Sequence, residues 1–212
     1  NRGSNTISVI DGANHQVIKT IGIGSIPTGI AASPDGQRLY VANNADNTVS
    51  VINTVDNTKV TDIPVGQFPY SVAISPDSRW VYVGNESDAS ISVIDTQTNT
   101  VFATIPNIMA AISIVVSPDG KWVYAATEAG TDAQVYVINA LNNTVDSGIP
   151  LPYPQNQQMV ITPDGKTLYM TSNLDGVVTV VNLVTKAGST INAIFNPGDF
   201  NSGPYGIAIN ST

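Results

Sequence analysis

Few side chains in this sequence have the type and spacing to do chemistry. His15 is the single histidine, so there is no second imidazole for a metal pair and no ready base for a serine nucleophile, which needs one within hydrogen-bond reach. It lies in DGANHQV, a segment that aligns with TVDNTKV and TQTNTVF. All three read as turns, and His15 reads as an exposed turn residue. Asp35, Asp77, Asp119 and Asp164 each follow a proline in a Ser/Thr-Pro-Asp triplet. An Asp so placed bonds nearby backbone N–H groups, so turn capping is expected of these four rather than proton transfer. Cysteine is absent, which removes disulfides, thiolate metal sites and cysteine nucleophiles. No catalytic residue, metal ligand or cofactor is implied, and the chain reads as a non-enzyme.

Binding residues are easier to find. VGQFPYS carries Phe68 and Tyr70, LPYPQNQQ carries Tyr153, and NPGDFNSGPYG carries Asp199, Phe200 and Tyr205. Aromatic rings among Asn and Asp suit a platform for a sugar or a peptide. Asp46, Glu86, Asp88, Glu128, Asp132 and Asp175 lie in other connecting segments. Such acids suit Ca²⁺, which takes oxygen ligands, although none has EF-hand spacing. Asn85-Glu-Ser87, Asn142-Asn-Thr144 and Asn210-Ser-Thr212 fit the N-glycosylation pattern.

Composition narrows the partners. The formal charge is −8 and only 11% of residues are charged, against about 25% in ordinary soluble proteins. An acidic chain lacks the basic face that nucleic acid requires, and it has no basic cluster for an anionic membrane. No run reaches the roughly 18 apolar residues of a membrane helix. The sequence starts at Asn1 with no charged-then-apolar leader; a removed leader or a longer parent chain both fit.

These residues must be positioned by a repeat. SPDGQRLYVANN at Ser33 returns as SPDSRWVYVGNE at Ser75, SPDGKWVYAATE at Ser117 and TPDGKTLYMTSN at Thr162, with spacings of 42, 42 and 45 residues. A second phrase follows each copy (TVSVIN, SISVID, QVYVIN, VVTVVN) and also opens the chain as NTISVID at Asn5. A third precedes each copy and returns as GIAIN at Gly206. A period of 20–50 residues marks a solenoid, propeller or array. Each unit reads as four short strands: a (GIAAS), a Pro-Asp turn, b (RLYVAN), a loop, c (TVSVIN), an Asn-rich turn, and d (KVTDIPV). No segment shows helical apolar spacing with caps. Tyr40, Tyr82, Tyr124 and Tyr169 recur on strand b, with Trp80 and Trp122 two residues before two of them and so on the same face; packing between blades is expected. The expected fold is all-β, a β-propeller of about five four-stranded blades, with one blade lacking strand b. Residues 1–212 form a single domain. Repeats fall near 29–65, 71–105, 113–149 and 158–195, and a fifth is split between 204–212 and 1–22.

LYVAN, VYVGN and TVSVINT, joined to SPDG, resemble the YVTN family of β-propeller repeats over essentially the whole chain. Ala126–Thr127 and Thr171–Ser172 depart from that family's Asn-Thr. The resemblance implies a structural or adhesive module at the cell surface or outside the cell, or in the periplasm, with copies of itself or another surface protein as partner. Three readings of the missing strand b stay open: a piece of a longer chain, a ring of five blades with one incomplete, or a slot filled by a strand from a neighbour, which would build filaments. The alternative function is a ligand-binding propeller for a glycan, a peptide or Ca²⁺, using the face made by the b–c and d–a loops. A propeller lyase or hydrolase is a third and weaker fit.

Overall fold

Each Ser/Thr-Pro-Asp-Gly phrase folds the chain back because its polar groups close on one another. In the computed structural model, which describes residues 1–127, 133–151, 156–172, 176–192 and 206–210, the Ser33 hydroxyl donates to Asp35 Oδ1 at 2.5 Å and accepts from the Arg38 N–H at 2.9 Å. Asp35 Oδ1 also accepts from the Gln37 N–H. The same bonds recur around Ser75, Ser117 and Thr162. Gly36, Gly120 and Gly165 complete the turn at φ near +70°, where a side chain is strained.

The strands that flank these turns form antiparallel meanders. Blade one is β3 (Pro27–Ala32), β4 (Arg38–Asn43), β5 (Thr48–Asn53) and β6 (Thr58–Pro64). Blade two is β7 (Pro69–Ile74), β8 (Trp80–Asn85), β9 (Ser90–Asp95) and β10 (Thr100–Pro106). Blade three is β11 (Ala111–Val116), β12 (Trp122–Thr127), β13 (Gln134–Asn139) and β14 (Thr144–Pro150). Blade four is β15 (Asn156–Ile161), β16 (Thr167–Ser172), β17 (Val177–Asn182) and β18 (Ala187–Asn192). A fifth sheet pairs β1 (Thr6–Ile10) with β2 (Val17–Gly22).

Neighbouring sheets meet closely along their first strands (β3, β7, β11, β15) and sparsely along their last. That is the geometry of wedges fanned about an axis, and the chain is a β-propeller. The core lies between the wedges. One cluster joins Tyr40, Val49 and Val51 of blade one to Val81, Val83 and Ile94 of blade two. The next joins Tyr82, Ile91 and Val93 to Val123, Ala125 and Ile138 of blade three. A third joins Tyr124, Val135 and Val137 to Leu168, Met170 and Val181 of blade four. Successive residues of β8 therefore serve opposite neighbours: Val81 and Val83 face one wedge and Tyr82 the other, as the period of two requires. This explains why middle strands are apolar on both faces. Full burial of each such side chain stabilises by about 1.5–3 kcal/mol. Tyr40, Tyr82 and Tyr124 are buried as expected, while Tyr169 is half-buried.

The fifth blade departs from the expected form. Residues 206–210 carry the strand-a phrase but are not in a strand, and among the described residues β1 pairs only with β2. Strand a makes its ladder with strand b in the other blades, and among the described residues no strand b stands beside Gly206–Asn210. The register of the head is nevertheless that of a blade. Asn1 Nδ2 donates to Thr6 Oγ1 and Ser8 Oγ, as Asn43 does to Thr48 and Ser50 and Asn85 to Ser90 and Ser92.

Candidate functional site

The first strands of the blades enclose a cavity of about 570 Å³. Gly29, Ser71, Ser113, Gln158 and Gly206 hold one register position in the five copies of the phrase, and all five line it. Small residues here let the inner strands approach. A Cβ on Gly29 would lie 2.5 Å from the Tyr70 carbonyl oxygen. Where the side chain is polar it reaches the backbone of the next blade: Ser71 Oγ donates to the Ala111 carbonyl (2.9 Å) and Ser113 Oγ accepts from the Met159 N–H (3.0 Å). Gln158 Oε1 accepts from the Ile207 N–H (2.9 Å), so the tail phrase is joined to blade four at the place where strand a belongs.

One end of this cavity is the b–c and d–a loop face. Its loops hold two large apolar residues in the left-handed region, Ile26 at φ 52° and Phe68 at φ 53°, and Ala110 holds the same register of the third d–a loop at φ 43°. A β-branched residue there is a genuine outlier, and the conformation costs about 1–2 kcal/mol. Hydrogen bonds from both flanking blades hold it. The Phe68 N–H donates to Asn47 Oδ1 (2.9 Å) and its carbonyl accepts from the Glu86 N–H (3.1 Å). The adjacent Gln67 N–H donates to Asp88 Oδ2 (2.7 Å). Ile26 repeats the arrangement with Asn5 and Asn44, beside a Ser25 N–H that donates to Asp46. The effect is to raise apolar groups on the face: Ile26 is 36% exposed and Phe68 46%; on the third loop Met109, outside the left-handed region, is 56% exposed. Two residues on from Phe68, Tyr70 lines the cavity itself, as Thr28 does two on from Ile26.

The structure thus brings Phe68 and Tyr70 together at one rim, where the sequence expects a binding face. Tyr153, Asp199, Phe200 and Tyr205 lie outside the described residues, as do Glu128, Asp132 and Asp175. Asp46 and Asp88 are engaged with backbone amides of the d–a loops, and among the described residues no three His, Cys, Asp or Glu side chains are arranged to hold a metal ion. Asn142 is exposed with its Oδ1 accepting from the Thr144 N–H, and Asn210 is exposed. Asn85 corrects the sequence reading. It is fully buried, its amide donates to Ser90 and Ser92, and a Cβ on Gly66 would lie 2.6 Å from it. The folded chain does not present that amide for glycosylation.

Sequence reasoning missed Ile26, Met109 and Arg2. Ile26 had a signal, since Gly-Ser-Ile-Pro at Gly24 parallels Gly-Gln-Phe-Pro at Gly66. Arg2 takes the register of Asn44 and lines the cavity.

A second cavity of about 580 Å³ opens on the opposite face between blades two and three, lined by Trp80, Trp122, Pro76, Pro118 and Leu141. A fissure of about 510 Å³ repeats it between blades three and four. Its recurrent polar groups, the Ser-Pro-Asp turns, are committed to their own bonds, so it belongs to the repeat rather than to a site.

Comparison with known proteins agrees with the fold. Residues 31–130 match the family model described as a YNCE-like beta-propeller, which supports a β-propeller repeat family. Among solved structures, hydrazine synthase of Kuenenia stuttgartiensis is similar over 100% of this chain and 66% of its own, at 24% identity and a TM-score of 0.89. Dihydro-heme d1 dehydrogenase NirN, solved in complex with DHE, is similar over 93% of this chain and 43% of its own, at 19% identity and a TM-score of 0.71. This chain therefore spans just under two thirds of the first and under half of the second. A search of curated proteins found no match.

Proposed function

We propose that this chain is a non-catalytic ligand-binding β-propeller module whose site is the rim formed by Ile26, Phe68, Tyr70 and Met109 over the central cavity. The observation that carries this reading is the pair of strained apolar residues. Strain of this kind persists where the surroundings over-determine it, and it clusters at binding sites. Here bonds from two blades enforce it, and its result is exposed apolar surface beside a polar cavity. A thermal-shift screen of glycans, short peptides and small metabolites tests the reading. At a concentration near 100 Kd a ligand stabilises the folded state by about 2.7 kcal/mol. Ligands of the wild type are expected to lose that shift in a Phe68→Ala, Tyr70→Ala double variant. Ligands that stabilise the double variant equally would place binding elsewhere and end the proposal.

A second reading, a surface-located structural module that assembles by strand addition, is favoured by one observation: the edge of β1 opposite β2 is unpaired among the described residues. Unpaired edges are templates for another strand. Light scattering decides it, with a mass that rises with concentration expected, and a constant monomer mass at all concentrations excluding it.

A further inference from the structure

The lining of the central cavity has a charge that the rest of the molecule does not foreshadow. The chain has 16 acidic and 8 basic residues, yet among the described residues the cavity lining contains no Asp or Glu and one guanidinium, that of Arg2. Arg79 is ion-paired with Asp95 at 2.7 Å. Arg2 makes no hydrogen bond or ion pair among the described residues. Its register explains its reach. The equivalent Asn44 sends its Nδ2 to the Pro69 carbonyl of the neighbouring inner strand, and the longer Arg2 lines the cavity together with Thr28, Tyr70, Ser71 and Gln158. Arg2 and Glu86, which holds the same register on blade two, are both exposed, but only Arg2 lines the cavity.

A guanidinium presents five donors in a planar fork that matches oxyanions. The cavity hydroxyls of Thr28, Ser71 and Ser113 and the Gln158 Oε1 are bonded to backbone groups, which leaves Arg2 as its charged donor, and the loops that lead into the lining carry the exposed Ile26, Phe68 and Met109. We propose that the cavity mouth takes a small molecule with an anionic head, a carboxylate, sulfonate or phosphate, on an apolar body. Arg2 holds the head inside the cavity and Phe68 covers the body at the rim. This rests on the reading that the loop face is the binding site, and it adds the chemical class of the ligand.

Two dyes separate the claims. Anilinonaphthalene sulfonate carries an anionic head on an aromatic body, and N-phenylnaphthylamine is its uncharged counterpart. Both are expected to bind the wild type with a rise in fluorescence, and Phe68→Ala is expected to weaken both. Arg2→Gln is expected to weaken the sulfonate by about tenfold or more, the scale of a lost charge-assisted bond, and to leave the neutral dye unchanged. Glu86→Gln is expected to leave the neutral dye unchanged and the sulfonate as tight or tighter. Raising salt should reproduce part of the Arg2→Gln loss. Circular dichroism of each variant confirms the fold. If Phe68→Ala weakens both dyes but Arg2→Gln leaves the sulfonate affinity intact, the anion proposal is overturned and the loop-face reading stands. If neither dye binds, or if Phe68→Ala changes neither, both are overturned.

Discussion

The a–b turns and the d–a loops use the left-handed backbone region for different purposes. In the a–b turns of blades one, three and four it is occupied by Gly36, Gly120 and Gly165. In the first two d–a loops it is occupied by Ile26 and Phe68, which are exposed, and in the third by the smaller Ala110. Glycine appears in the turns where only the chain reversal matters, and a large side chain appears in the two loops that display it. Blade two supplies the check on this rule. Its turn has Ser78 at φ 60° in the glycine position, and the Ser78 hydroxyl accepts from the Asp35 N–H of blade one at 3.1 Å. The strained residue again has a task outside its own turn.

Variants at the two faces should part accordingly. The largest stability loss is expected for Ser75→Ala on the turn face. It removes the hydroxyl that accepts from the Trp80 N–H and donates to Asp77 at a site 4% exposed, and leaving such a donor unpaired costs about 2 kcal/mol. Denaturant titration measures it, and ligand or dye affinity should not change. Phe68→Gly should do the reverse: binding falls by about tenfold or more, while stability stays within about 1 kcal/mol, because relief of strain offsets lost packing. Next comes Gly120→Ala. The added Cβ would meet only Pro76 Cδ at 3.7 Å, an ordinary contact, so the cost is conformational and about 1 kcal/mol. A cost near zero there would remove the contrast on which the comparison depends.

The smallest effect is electrostatic. Hydroxyl donors from Ser33, Ser75, Ser117 and Thr162 are the main cause holding Asp35, Asp77, Asp119 and Asp164 below the ordinary carboxylate value of 3.8. The unfolded chain therefore takes up these protons at a higher pH than the folded one. The contribution is fully present above pH 3.8 and is lost as pH falls through the depressed values. Melting temperature should decline below that point, and less steeply in Ser33→Ala. An equal slope in that variant would assign the acid response to other carboxylates.

The fold was legible because its cause is local and repeated. The Ser-Pro-Asp turn and the Tyr of strand b carry their instructions within a dozen residues, and four copies reinforce one another. The site was legible only in part. Phe68 and Tyr70 stand out by type, but Ile26 looks like an ordinary core aliphatic until its φ is known. Arg2 gains meaning only from strands far along the chain that meet it at the axis. Asn85 shows the converse: a three-residue pattern says nothing of the glycine from another segment that seals it in. Burial and convergence are set between blades, and those contacts leave no mark in a short window.

The Gly29, Ser71, Ser113, Gln158, Gly206 position has a mechanical corollary. It sits at the hub, where adjoining sheets meet along their first strands and the Ser71–Ala111 contact is one short joint. Thickening that joint by one side chain prises two sheets apart by the same amount at the centre, and the lever arm of the blade multiplies the displacement toward the circumference. Pitch between blades is thus sensitive to residue size at this innermost position.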